Sequence, residues 1–125
     1  MQQSNLIKKS SEAGDNLESN IYKMMYSLGI PPLLKGYNYI NNATIMILED
    51  GDSINRLNDE VYPKIAVKFH TTSQRVEKAI RHAIEISWDW EGNKSLKNYY
   101  TDNTLMPTNS EFLSFISNQI KIGTN

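Results

Sequence analysis

Apolar residues recur at helical spacing along most of this chain, and no segment shows the apolar–polar alternation that is typical of a strand. The first predicted helix is capped by Asp15, and its buried stripe runs from Leu17 to Leu28. Gly29 suits the left-handed residue that ends a helix, and Pro31–Pro32 prevents continuation. The pattern therefore predicts one amphipathic helix before residue 30.

Two more helical stretches are predicted before residue 63. One runs from about Tyr37 to Leu48 and is closed by Gly51, and the next opens at Ser53. Their predicted buried residues are Tyr39, Ile40, Ala43, Ile47, Ile54, Leu57 and Val61. Pro63 lacks a backbone donor, so either a kink or the start of a new short helix is expected there.

The clearest helix in the sequence spans Ser73–Trp88. Its predicted buried residues are Val76, Ala79, Ile80, Ala83, Ile84, Ser87 and Trp88. The short helix before it is predicted to bury Ile65, Ala66 and Phe69. Residues 70–72 connect the two helices. The N-cap is expected to be either Thr71, which has Gln74 at capping-box spacing, or Thr72.

The last part of the chain is less regular. A short helix is predicted around Leu96–Tyr100, and Thr108 with Glu111 forms a capping box directly after Pro107. This capping box starts a final helix that is predicted to bury Phe112, Leu113, Ile116 and Ile120. The pattern as a whole predicts an all-α fold of roughly six helices.

Composition is that of an ordinary globular protein, with 39% hydrophobic and 22% charged residues in 125 positions. Residues 1–14 are predicted to form a flexible polar arm, followed by one helical domain at 15–125. The absence of cysteine excludes a disulfide framework and thiolate chemistry. No apolar run is long enough to span a bilayer and no signal-peptide core is present, so a cytoplasmic protein is expected.

The segment Tyr62–Trp88 has the parts of a helix-turn-helix at about residues 63–88, namely a short support helix, a tight turn and a longer helix. The outward positions of the longer helix are Gln74, Arg75, Glu77, Lys78, Arg81, His82 and Glu85. Arginine can donate to two acceptors of guanine, and glutamate can accept from cytosine. Because the first turn of such a helix reaches deepest into the major groove, Arg75, Glu77 and Lys78 are predicted to contact bases.

The local charge supports DNA binding. From Lys64 to His82 five basic residues stand against one acid, Glu77, which makes this segment +4 in a chain of net charge −1. Contacts to the DNA backbone are predicted from Lys64, Lys68, Thr71, Thr72, Ser73, Gln74, Arg81 and His82. The alternative is a solvated helix face, since some helix-turn-helix proteins bind no DNA.

Other chemistry has little support in the sequence. There is no glycine-rich phosphate loop and no informative Ser-His-Asp arrangement, so neither an enzyme nor a cofactor is expected. His82 and Glu85 have half of a metal-binding spacing, but no further His or Cys completes a site, and no metal is expected. Trp88 is predicted to be in the core, and Trp90 is predicted to be either a packing residue or an exposed interaction residue.

Four segments resemble the C-terminal effector domain of stage-zero sporulation protein A, the master response regulator of sporulation. They are Ile30–Ile40 (IPPLLKGYNYI), Tyr62–Phe69 (YPKIAVKF), Thr71–Trp88 (TTSQRVEKAIRHAIEISW) and Pro107–Phe112 (PTNSEF). The third is the most specific, because RVEKAIRHAIE departs little from the recognition helix of that family. With the helical order included, the resemblance covers about Leu17–Ile120.

The resemblance implies a six-helical domain that binds operator boxes in double-stranded DNA as head-to-tail dimers. It also implies that Arg75, Glu77 and Lys78 contact bases and that Thr72, Ser73, Arg81 and His82 lie near the phosphate backbone. Either the RNA polymerase sigma factor or the full-length regulator is expected as a protein partner. The function expected from this resemblance is sequence-specific regulation of transcription.

This chain departs from the family in three respects. Lys78 stands where the family usually has arginine, so a bidentate contact is replaced by a point charge. The segment from Asp89 to Asn93 is shorter and more acidic than the family's, and Leu105-Met106 stands where the family often has lysines. The sequence shows no receiver domain, so either an excised effector domain or a stand-alone paralogue is expected. The untagged polar arm favours the stand-alone paralogue. The acidic departures support a second hypothesis, an antagonist that pairs with the full-length regulator or RNA polymerase without its own operator.

Overall fold

A computed structural model of the chain describes residues 16–91, 96–99 and 105–124. Within these residues the protein is all-helical and has no strand, as the sequence predicts. The predicted arm at 1–14 lies outside the described residues. No helix in the described ranges combines the length and the apolar content needed to cross a bilayer.

The helices follow one another with short connections. They are α1 (residues 16–27), α2 (Lys35–Glu49), α3 (Tyr62–Lys68), α4 (Ser73–Asp89), α5 (Leu96–Tyr99) and α6 (Asn109–Thr124). Between α2 and α3 lie a 3₁₀ turn at Gly51–Arg56 and a π turn at Leu57–Val61. The prediction of an α-helix that opens at Ser53 is therefore wrong, because this stretch forms the two irregular turns.

The side chain of Arg56 lies at the centre of a cluster of ion pairs in this stretch. Its guanidinium forms ion pairs with Asp50 at 2.9 Å, with Asp52, and with Glu60 at 2.6 Å. The backbone of Arg56 is at φ −125° and ψ 35°, outside the helical region, at the junction of the two turns. Carboxylates before and after the junction thus converge on one cation, and two of these pairs have the i,i+4 spacing that is also found in regular helices.

The end of α1 follows the prediction at Gly29. This residue has φ +76°, and its N–H donates to the Tyr26 carbonyl at 3.0 Å while the Ile30 N–H donates to the Met25 carbonyl at 3.0 Å. This pair of bonds is the Schellman arrangement that ends many helices at glycine. A Cβ atom on Gly29 would lie 2.3 Å from the Trp90 ring. The ring of Trp90 therefore packs on the α1–α2 connection, yet the residue is 38% exposed, so the structure does not decide between the two predictions made for it.

Helix α4 lies at the centre of the packing, against α2, α3, α5 and α6. Its buried residues are Val76, Ile80, Ala83, Ile84 and Ser87. Of the other predicted core residues, Ile40, Ala43, Ile47, Ile65, Phe112, Leu113 and Ile116 are buried. Other residues that were predicted to be buried, among them Ile54, Phe69, Ala79 and Trp88, are only partly buried and pack against this core. The hydroxyl of Ser87 donates to the Leu28 carbonyl at 2.7 Å, so the C-terminal end of α4 is attached to the end of α1.

Helix α2 approaches α4 closely at Gly36. A Cβ atom there would lie 2.3 Å from the Ala79 carbonyl oxygen and 3.0 Å from the Ala83 Cβ. The backbones of the two helices can be this close only because Gly36 has no side chain. The first turn of α2 is thereby held at a defined position on the flank of α4.

The connection between α3 and α4 is also a tight one. His70 has φ +54°, its N–H donates to the Val67 carbonyl at 3.3 Å, and the Thr71 N–H donates to the Ala66 carbonyl at 2.9 Å. This is again a Schellman arrangement, with histidine in the left-handed position that usually holds glycine. Phe69, next to it, packs edge-on against Tyr39 at 5.3 Å between ring centroids, which joins the connection to α2.

Candidate nucleic-acid interface

The first turn of α4 is capped by Thr72. Its hydroxyl oxygen accepts the Arg75 N–H at 3.2 Å, and its backbone is extended at φ −114° and ψ 154°. Of the two N-caps that the sequence leaves open, the structure selects Thr72. Thr71 instead donates its backbone N–H to the end of α3. The cap therefore fixes where α4 begins and which of its residues share the first turn.

We expect Thr72→Ala to lower the free energy of unfolding by about 1 kcal/mol, because the Arg75 N–H loses its side-chain acceptor. The matched control is Thr71→Ala. The Thr71 hydroxyl has no hydrogen-bond partner among the described residues, so its loss should change the free energy of unfolding by less than about 0.5 kcal/mol. Urea denaturation of the two variants measures the difference. Equal losses would contradict the assignment of the cap to Thr72.

The three residues predicted to contact bases are exposed on this part of α4. Arg75, Glu77 and Lys78 all lie on the solvent side. None of their charged groups forms a hydrogen bond or ion pair within the part of the chain that the structure describes. The interactions that are seen, the Arg75 N–H with Thr72 and the Glu77 carbonyl with Asn109, involve only the backbone. Their side chains are therefore available to an incoming ligand.

Three other predicted cations already have partners in the fold. The Lys64 ammonium pairs with Glu60 at 2.9 Å, and this hydrogen bond is the largest of the effects that lower the pKa of Glu60. The Lys68 ammonium donates to the Asn42 side chain at 2.8 Å and lies 5.7 Å from the centre of the Phe69 ring. The +4 charge estimated from the sequence is reduced locally, because Glu60 precedes the counted segment and its carboxylate pairs with Lys64.

Arg81 is the third of these cations and connects two helices. Its guanidinium donates to the Pro107 carbonyl at 3.1 Å, just ahead of α6. The Asn109 amide donates nearby to the Glu77 carbonyl at 3.1 Å and to the Tyr62 hydroxyl at 3.2 Å. Burial raises the pKa of Tyr62, so this phenol stays protonated at neutral pH. These bonds tie the start of α6 to α3 and α4.

The capping box predicted for α6 is confirmed. The Thr108 N–H donates to the Glu111 carboxylate at 2.9 Å, and the Glu111 N–H donates to the Thr108 hydroxyl at 3.1 Å. The bond from the Thr108 backbone is the main cause of the lowered pKa of Glu111. A depression of about 610 Å³ separates this helix start from Glu77, Lys78 and Arg81 of α4. The structure thus brings these three predicted residues together on one wall.

At the other flank of α4, the predicted residues Thr71 and Arg75 lie beside Lys35, which sequence reasoning missed. Arg75 and Thr71 line a depression of about 310 Å³ together with Lys35, the first residue of α2. Lys35 is exposed and forms no hydrogen bond or ion pair within the described ranges. It lies 40 residues before Arg75 in the sequence, so local charge counting around α4 does not include it. One signal was present, since Lys35 falls inside the Ile30–Ile40 segment that resembles the family.

His82 lies at the boundary between the basic and the acidic parts of α4. It lines a shallow depression with Glu85, Asp89 and Trp90 near the C-terminal end of the helix. Glu91 is also exposed there. In the described ranges no group of three or more His, Asp or Glu side chains is arranged to hold a metal ion. His82 thus has acidic neighbours on its C-terminal side, although Lys78 lies one helical turn before it.

The charge order along α4 is opposite to the one that stabilises an isolated helix. Arg75 and Lys78 lie in its first turns, whereas Glu85 and Asp89 lie in its last two. A helix dipole favours anions at the N-terminus and cations at the C-terminus. Helix stability thus does not explain the two cations, whereas binding of an anionic ligand at the N-terminal half does.

Comparison with known families gives a match over most of the chain. The family model described as "Sporulation initiation factor Spo0A C terminal" matches residues 21–120. The matched range is 100 of the 125 residues and extends from α1 into α6. It includes all of α3 and α4 and the whole set of predicted contact residues.

Proposed function

Because the chain belongs to the family of the sporulation initiation factor Spo0A C-terminal domain, a DNA-binding effector domain of a transcriptional regulator, we propose that it recognises a specific operator in duplex DNA. This family is a regulatory DNA-binding one, so the conclusion concerns recognition and not catalysis. The sequence hypothesis of a transcriptional regulator is therefore the one we retain.

In this proposal α3, the connection at residues 69–72 and α4 act as a helix-turn-helix. Helix α3 supports α4, and α4 enters the major groove with its first turns towards the bases. The left-handed residue His70 and the cap at Thr72 support this arrangement, because they place the two helices in contact across a short connection.

The observation that carries the proposal is the availability of the first turns of α4. Arg75, Glu77 and Lys78 are exposed and have no side-chain partner among the described residues, whereas Lys64, Lys68 and Arg81 do. We assign Arg75 to guanine and Glu77 to an adjacent cytosine, and Lys78 to a base acceptor as a point charge. Unpartnered side chains in these positions lose no internal interaction when they bind DNA.

The remaining predicted residues are assigned to the sugar-phosphate backbone. Thr71, Thr72, Ser73 and Gln74 surround the free N–H groups at the start of α4, where a phosphate is favoured. Lys64, Lys68, Arg81 and His82 form a second set. The first three of these must share their charge with existing partners, so we expect each to contribute less than an unpartnered cation.

The proposed assembly on DNA is a head-to-tail homodimer, as the family resemblance implies. Contacts to the RNA polymerase sigma factor or to the full-length regulator belong to the same proposal. Analytical ultracentrifugation with an operator duplex carrying one or two boxes tests the dimer. A single protomer bound to the two-box duplex at saturation would contradict it.

The experiment that tests the proposed function is a gel-shift titration against two duplexes of equal length. One carries the operator box of the family and the other a scrambled sequence, and both are titrated at two salt concentrations. At the higher salt concentration we expect the operator duplex to bind at least tenfold more tightly than the scrambled duplex, because base contacts depend less on salt than phosphate contacts do. Equal affinities would contradict sequence-specific recognition.

A second function, antagonism without an operator, is favoured by one observation. Asp89 and Glu91 are exposed at the C-terminal end of α4, and the last turn of this helix has no basic residue. An acidic surface suits a protein partner better than DNA. Binding to neither duplex, together with co-purification of the full-length regulator, would establish this function instead.

A further inference from the structure

The depression between α2 and α4 has a charge pattern of its own. Its lining residues are Lys35, Asn38, Tyr39, Phe69, His70, Thr71 and Arg75. Two of them are cations and none is an acid, so the positive charge in this depression has no counter-charge within its lining. A depression lined by cations without an acid attracts an anion.

Lys35 is placed where the fold itself gains nothing from a positive charge. It is the first residue of a fifteen-residue helix whose first turn contains no acid. The helix dipole disfavours a cation at that end. The side chain is exposed, and no carboxylate or hydrogen-bond acceptor partners it within the described ranges. Its local environment therefore does not stabilise the charge, but an external anion would.

The position of Lys35 relative to α4 is fixed by packing. Gly36 lies against the Ala79 carbonyl oxygen, and Arg75 lies one helical turn before Ala79 on α4. The first turn of α2 therefore cannot withdraw from Arg75 without losing this contact. Tyr39 forms part of the floor, since its ring packs against Phe69 at the end of α3.

We infer that this depression receives a backbone phosphate of the bound duplex, with the Lys35 ammonium as its cation. Tyr39 and Thr71 line the same depression, and in this inference their hydroxyl groups donate to the phosphate oxygens. With the phosphate held by Lys35, the Arg75 guanidinium is left for a base edge. This inference rests on the proposed function and adds α2 to the two helices of the helix-turn-helix as a third DNA-contacting element.

The test compares Lys35→Ala with Lys23→Ala across a series of salt concentrations. Lys23 is an exposed cation of α1 that lines a different depression, with Gln119 and Gly123 of α6, and it has no partner among the described residues. Each variant loses one positive charge, so net charge is matched. Fluorescence anisotropy with the operator duplex and the scrambled duplex gives affinity against salt for both.

We expect Lys35→Ala to weaken binding by about 3- to 10-fold, by the same factor on both duplexes, and to reduce the slope of log K against log salt by about 1. Lys35→Arg should restore the slope, and Lys23→Ala should leave it unchanged. Thermal unfolding of Lys35→Ala should match that of the wild type, because Lys35 has no internal partner among the described residues.

Three outcomes would overturn the inference, and they are distinguishable. If Lys35→Ala binds as tightly as the wild type and with the same salt slope, the phosphate contact of Lys35 is wrong, but the proposed function is unaffected. Equal slope changes in Lys35→Ala and Lys23→Ala mean that net charge and not the depression is responsible. Failure of the wild type to bind either duplex overturns the proposed function and this inference with it.

Discussion

Gly36→Ala is expected to lower the free energy of unfolding by about 2–3 kcal/mol and to weaken operator binding at the same time. The added Cβ would meet the Ala79 carbonyl oxygen at 2.3 Å and the Ala79 carbonyl carbon at 2.9 Å. These are backbone atoms in the middle of α4, which cannot rotate away as the end of a side chain can. One helix must therefore shift, and overpacking of this kind opposes the roughly 1 kcal/mol that alanine contributes over glycine in a helix.

The matched control is Gly123→Ala, in α6. A Cβ atom there meets nothing within 4 Å, so alanine should leave stability unchanged or raise it by up to about 1 kcal/mol. Urea denaturation gives both stabilities, and the gel shift gives binding under conditions where each variant remains folded. If Gly36→Ala were as stable as Gly123→Ala, the close approach of α2 to α4 would be wrong.

Arg75→Ala is expected to weaken operator binding by about 1–3 kcal/mol, which is about 5- to 150-fold, and to remove the preference at one base pair. The reason is that the guanidinium has no partner among the described residues and lies in the first turn behind the Thr72 cap. Since Arg75 makes no internal side-chain contact there, the stability of the protein should not change. Titration of the operator against single-base variants of the box measures both effects.

Two controls separate base recognition from charge. Arg75→Lys keeps the charge and should retain affinity for the scrambled duplex, but it should lose discrimination, because an ammonium cannot donate the paired bonds that a guanidinium can. Lys23→Ala loses one charge on α1 and should preserve discrimination. An equal loss of affinity on operator and scrambled duplex in Arg75→Ala would assign Arg75 to the backbone.

Most helices could be predicted from the sequence because their determinants are local. Helix α4 was expected at Ser73–Trp88 and is observed at Ser73–Asp89. The capping box of Thr108 and Glu111 and the turn at Gly29 depend on residues within a few positions of each other. Apolar periodicity and capping residues act within one or two helical turns, so the linear order of the chain carries them.

Other features depended on distant or competing interactions. The stretch at Ser53 looked helical from its apolar spacing, but it forms a 3₁₀ turn and a π turn that meet at Arg56. Thr71 and Thr72 were both acceptable caps, and the bond from the Thr71 N–H to the end of α3 decides between them. The charge of Lys64 counted towards the predicted patch, although Glu60 is paired with it.

The candidate DNA-binding site also has one part that follows from local sequence and one part that depends on distant interactions. The sequence by itself determined the all-helical fold class, the family, and the helix that carries Arg75, Glu77 and Lys78, since the apolar stripe of this helix leaves all three on its polar side. Only the tertiary structure decided which cations are available, because Lys64, Lys68 and Arg81 find acceptors on other turns or other elements. It also brought Lys35 beside Arg75 across 40 residues of sequence, and the physical reason is Gly36, which lets the two helix backbones touch.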